Sequence, residues 1–155
     1  MSFGPQDRCN DRVFVMRVLY EIQATAIGGR DGAAATSDGV LRVDLAIPRE
    51  LGGPGGEGAN PEQLFALGYA ACFLTAIREA ASESQTKIAP DTNVTATVGI
   101  GPRDGGDGLA LSVALMIDLP GVARETAQSL VHRAHEICPY SHATRGTLDV
   151  RLRVA

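Results

Sequence analysis

The sequence predicts an α+β domain whose elements run in the order βββαββαβ. Three observations predict it. Short alternating apolar segments closed by Gly- and Asp-rich turns lie on either side of the middle of the chain. A long apolar segment opens at Asn60-Pro61, and a second helical period ends at Pro139. A chain of 155 residues suits one domain with a core of its own. Residues 16–155 are read as that domain, and residues 1–15 as a flexible N-terminal extension.

Residues 14–27 alternate loosely with β-branched and aromatic side chains until Gly28-Gly29-Arg30-Asp31-Gly32 imposes a turn. Residues 33–36 return as the second strand of a hairpin, Ser37-Asp38-Gly39 turns again, and residues 40–45 alternate as a third strand. The stretch 48–59, with five glycines and two prolines, reads as a surface loop. It is no phosphate cradle, because no Lys-Ser or Lys-Thr follows it. Asn60-Pro61-Glu62-Gln63 then supplies an N-cap, a proline at the first helical position, an acid facing the positive end of the dipole and the last member of a capping box. The following residues leave almost no polar face before Arg78-Glu79, which predicts a central helix buried nearly all round at its front. Residues 93–100 and 109–119 alternate as a second hairpin across the turn 102–108. A second helix is expected from Pro120-Gly121 through Cys138, with Ala127, Leu130, Val131, Ala134 and Ile137 on one stripe, and residues 148–154 form the last strand.

The formal charge of −4 and the scattered basic residues argue against a nucleic-acid surface. The first residues have no apolar signal core, and no run approaches the roughly 20 residues of a membrane span, so no membrane partner and a cytoplasmic location are expected. Three cysteines are too few for a secreted disulfide framework. Cys9 lies among Asp, Asn and Arg in the extension and is given no role.

Cys72 lies inside the apolar run Leu67-Gly68-Tyr69-Ala70-Ala71-Cys72-Phe73-Leu74, and Cys138 closes the second helix. A lone buried cysteine is commonly an inert small hydrophobe. Two of them near helix ends fit an attacking thiolate and a resolving thiol, a chemistry that needs no cofactor. His132, His135 and Cys138 recur every three residues, a spacing permissive for zinc, but no second cluster completes four ligands and no metal is expected. Ser141-His142 resembles a nucleophile and base only in composition, since loop neighbours rarely meet in that geometry. By default Glu62 is a first-turn acid and Arg30 a solvated hairpin tip.

The segments Gly28-Gly29-Arg30-Asp31-Gly32, Ser37-Asp38-Gly39, Asn60-Pro61-Glu62-Gln63-Leu64-Phe65, Gly68-Tyr69-Ala70-Ala71-Cys72-Phe73, Cys138-Pro139-Tyr140-Ser141 and Ala143-Thr144-Arg145-Gly146, in this order, resemble the organic hydroperoxide resistance proteins of the OsmC superfamily. The resemblance spans about residues 16 to 155. It implies two strongly curved antiparallel sheets around central helices in an intertwined homodimer. It further implies reduction of organic hydroperoxides to alcohols with a dihydrolipoyl reductant. Cys72 is then the peroxidatic thiol, Cys138 the resolving thiol, and Arg30 with Glu62 the pair that activates Cys72. Phe65, Tyr69 and Phe73 become the apolar contacts for substrate. The sequence departs from the family at His142, where Asn is expected, and in its extension. A non-enzymatic redox-sensing or binding protein of the same fold is the competing reading.

Burial raises a thiol's pKa, so Cys72 on an apolar helix needs a cation nearby before it is a thiolate. Arg30 is the candidate on a turn, with Glu62 holding the guanidinium through a two-bond fork. Glu62 and Cys72, ten residues apart on one helix, lie roughly 15 Å apart along its axis. Contact between the pair and the thiol is therefore expected across a two-fold dimer.

Overall fold

The structure, a computed structural model, describes residues 16–155. Cys9, the extension and the first two residues of the expected first strand lie outside the described residues.

Strand β1 (Ala24–Ile27) pairs antiparallel with β2 (Ala33–Thr36), which pairs antiparallel with β3 (Arg42–Asp44). β1 is shorter than the alternation suggests. The partner strand has only four residues before Ser37 enters the next turn, and a Ser37 N–H to Gln23 carbonyl bond of 2.8 Å marks the end of pairing. Arg30 sits on a 3-10 turn, Gly29–Asp31, between β1 and β2. Gly28 there takes φ of 78°, and a Cβ at Gly32 would overlap the Ile27 carbonyl, so both turn glycines are required. The loop 48–59 contains one 3-10 turn, Arg49–Leu51.

Helix α1 (Pro61–Glu83) starts where its capping residues predict: Asn60 Oδ1 accepts from the Gln63 N–H and Gln63 Oε1 from the Asn60 N–H, both at 2.9 Å. By length and composition it could cross a membrane, with mean hydropathy 1.4, so the expectation of no such run fails. It packs instead on the second sheet and the other helices, as a core helix does. Its burial is also one-sided. Tyr69, Phe73, Ala76, Ile77, Ala80 and Ala81 are buried, but Leu67 is 70% exposed because none of the described residues covers that face.

The second sheet has the order β4-β5-β6: β4 (Asn93–Pro102), β5 (Leu109–Asp118) and β6 (Val150–Val154). β4 and β5 are antiparallel, but β6 runs parallel to β5, which corrects the wholly antiparallel expectation. The two-helix connection after β5 returns the chain to the end from which β5 started, as a crossover must. Val113, Leu115 and Ile117 alternate inward from β5 and are fully buried, each worth about 1.5–3 kcal/mol of apolar burial.

Helix α2 (Arg124–Ile137) begins later than expected. Pro120-Gly121 forms a tight turn, with Gly121 at φ of 76° and the Val122 N–H bonded to the Leu119 carbonyl at 3.1 Å. Pro139 ends α2 as predicted, yet it also starts a helix the sequence reading lacked, α3 (Pro139–Thr144), because proline suits the first helical position. The observed order is βββαββααβ.

Candidate active site

The N-terminus of α1 and the Arg30 turn form the first half of the site. Arg30 Nη1 donates to Glu62 Oε2 at 2.8 Å and Nη2 to Glu62 Oε1 at 2.6 Å, the two-bond fork expected of guanidinium and carboxylate. The hydrogen bonds from Arg30 hold the Glu62 carboxyl below the usual carboxylate range, and Glu62 in turn raises the guanidinium. Phe65, one turn further along, lines a surface pocket of about 370 Å³ with the ion pair, Ile100 and Leu111.

The second half lies further along α1. Cys138 is the C-cap of α2 and the N-cap of α3, fully buried, with extended backbone between the two helices. This break turns its side chain onto α1, where its Sγ lies 3.6 Å from Cys72 Sγ, both thiols free. Burial pushes the Cys72 thiol up, the Tyr140 backbone N–H acting on the sulfur pulls it down, and Cys138 pushes it up again. Arg30 is not among the groups that act on it. One chain therefore brings Arg30 to Glu62 and Cys72 to Cys138, and keeps the two pairs apart on a helix that is unbroken between residues 62 and 72.

Tyr140 lies across α1 at Gly68, where a Cβ would come within 2.9 Å of the tyrosine oxygen. Its ring is 6.2 Å from Phe65 and 5.6 Å from Tyr69. Tyr69 and Phe73, expected to touch substrate, are fully buried in the core and present no surface in this chain, whereas Phe65 is half-buried. The Tyr69 hydroxyl is 2.9 Å from Ser141 Oγ, itself fully buried. Ser141 is thus bonded to Tyr69, away from any role as a nucleophile. The His142 N–H donates to the Cys138 carbonyl at 2.9 Å. Among the described residues, no group of three or more His, Cys, Asp or Glu side chains is disposed to hold a metal ion. Gly68, Tyr140 and Ser141 lie within the family segments, but the contacts of Tyr140 with Gly68 and of Ser141 with Tyr69 were not legible there. The only signal was their spacing, Gly68 one turn before Cys72 and Tyr140 and Ser141 two and three residues after Cys138.

The family model for OsmC-like proteins matches residues 53–153. The organic hydroperoxide resistance protein of Xanthomonas axonopodis pv. citri is 50% identical over 139 residues, 90% of this chain and 96% of that protein. The chain belongs to the organic hydroperoxide resistance branch of the OsmC family. Two crystal structures from this branch have the same fold. The organic hydroperoxide resistance protein from Legionella pneumophila matches with a TM-score of 0.84 and 47% identity, over 90% of this chain and 99% of that one. OhrB of Bacillus subtilis matches with a TM-score of 0.82 and 41% identity, over 89% of this chain and 100% of that one.

Proposed function

We propose that this chain is a cysteine-based peroxidase that reduces organic hydroperoxides to alcohols, with Cys72 attacking, Cys138 resolving and a dihydrolipoyl dithiol as reductant in the cytoplasm. The observation that carries the reading is the 3.6 Å approach of two free thiols from positions 66 residues apart. The Cys72 thiolate attacks the terminal peroxide oxygen, an S–O bond forms as the O–O bond breaks, and the leaving alkoxide takes a proton to become the alcohol. Cys138 then attacks the Cys72 sulfenic acid, an S–S bond replaces the S–O bond, and water leaves. A dithiol reduces the disulfide by two exchange steps and is itself oxidised.

The active form in this reading is a two-fold dimer that brings Arg30 and Glu62 of one protomer to Cys72 of the other. Two features support it. Burial without a cation leaves Cys72 protonated near neutral pH. An apolar groove of about 610 Å³, between the first sheet, α1 and β4 and lined by Leu41, Val43, Leu64, Leu67 and Val94, lies open in the single chain. The apolar flank at Phe65 favours alkyl and aryl peroxides over hydrogen peroxide. Steady-state assays with dihydrolipoamide, comparing cumene and tert-butyl hydroperoxides with hydrogen peroxide, test this. Turnover with a preference for the organic peroxides is expected. Disulfide formation without catalytic turnover would instead identify a redox sensor.

A further inference from the structure

The two segments that carry the cysteines meet at two rungs. Cys72 and Tyr69 are three residues apart on α1 and share a face; Cys138 and Ser141 are three residues apart on the facing segment. The sulfurs make one rung at 3.6 Å, and the Tyr69 and Ser141 hydroxyls make the other at 2.9 Å. Every atom of the second rung is dry, since Tyr69 and Ser141 are both fully buried. Thr144 extends it, 3.5 Å from the Tyr69 hydroxyl and donating to the Tyr140 carbonyl at 2.9 Å.

We infer that Tyr69 and Ser141 are positioning residues for the resolving step, and that their hydrogen bond holds Cys138 within reach of the Cys72 sulfenic acid. This rests on the peroxidase reading above. α3 has six residues and no side-chain cap at its start, too short to hold its own place. Cys138 is the joint on which it swings, with extended backbone linking two helices. A segment so jointed is fixed by what it touches. The hydroxyl rung, one turn from the joint, sets the rotation of α3 and with it the aim of Cys138. An S–S bond is about 2.05 Å long, so the sulfurs must close by roughly 1.5 Å, and a small error of aim is a large fraction of that path. The peroxide step feels this rung only through the Tyr140 N–H that α3 brings to the Cys72 sulfur, because Cys72 itself is carried by α1.

The test gives reduced protein one equivalent of cumene hydroperoxide and follows two products: Cys72 sulfenic acid trapped by dimedone, and the Cys72–Cys138 disulfide by mass. In the wild type, sulfenic acid forms and passes quickly to disulfide. In Ser141→Ala the disulfide forms about tenfold more slowly, the first step slows less than this, and dimedone captures Cys72 in proportion. Tyr69→Phe removes the same bond from the other end and serves if Ser141→Ala fails to fold. The double variant is no slower than either single one. A wild-type rate of disulfide formation in both variants overturns the inference, as does an equal loss in both steps. Absence of sulfenic acid and disulfide in the wild type overturns the peroxidase reading instead.

Discussion

Arg30 and Glu62 join the first sheet to the start of α1 by two hydrogen bonds of 2.8 and 2.6 Å, at the far end of the helix segment from Cys72. Ten residues of helix put about 15 Å between the carboxylate and the thiol along the axis. If both act in one reaction, two chains have to supply them.

Activity should therefore be recoverable by mixing dead proteins. Cys72→Ser and Glu62→Ala homodimers are each expected to be inactive. After subunit exchange at equal amounts, half the molecules are heterodimers with one intact site of two, so about a quarter of wild-type activity should return. Peroxidase assays on the mixture, with exchange verified by mass, check this; no recovery would place the whole site in one chain.

The two thiols should fail differently. Cys72→Ser is expected to lose peroxide reduction entirely, while Cys138→Ser should consume one equivalent of peroxide and stop with sulfenic acid at Cys72. Burst amplitude and intact mass distinguish the two. A burst in Cys72→Ser would reverse the assignment.

The ion pair should leave a signature in stability against pH. Arg30 holds the Glu62 carboxyl below its ordinary value of 4.5, so the folded state gives up this proton more readily than the unfolded one. The stabilisation is fully present above that ordinary value and is lost as pH falls through the lowered one. The pair is partly exposed, at 37% for Arg30 and 12% for Glu62, which limits it to about 1 kcal/mol. Melts of wild type and Glu62→Gln should differ by about 2–4 °C at pH 7 and converge once the pH has fallen below the lowered carboxyl value. An undiminished difference in acid would mean that the carboxylate charge is not the cause.

Gly68→Ala should separate stability from activity. Alanine favours a helix interior by about 1 kcal/mol, but its Cβ would press on the Tyr140 oxygen at 2.9 Å. Tyr140 is 39% exposed and free to swing outward, so melting temperature should change little. The Tyr140 ring then leaves its place beside Phe65 at the apolar flank of the site, and kcat/KM for cumene hydroperoxide should fall several-fold. Adding Tyr140→Leu, which removes the clash and keeps an apolar side chain there, should restore it.

What the sequence by itself determined was local. Asn60, Pro61 and Gln63 place the start of α1 because a capping box closes within four residues, and both its bonds are present. The inward alternation of Val113, Leu115 and Ile117 and the stripe Ala127, Leu130, Val131 and Ala134 follow from periods of two and 3.6, and these residues are the core. The family motifs pointed to four candidate residues without showing which of them meet. Tertiary structure decided that. Arg30 meets Glu62 across 32 residues and Cys72 meets Cys138 across 66, contacts that depend on how whole elements pack. It also decided that α3 follows Pro139, that β6 runs parallel, and that Tyr69 turns its hydroxyl to Ser141 within the core. Proline, strand pattern and tyrosine each permit two outcomes locally. The choice between them lies in partners far along the chain.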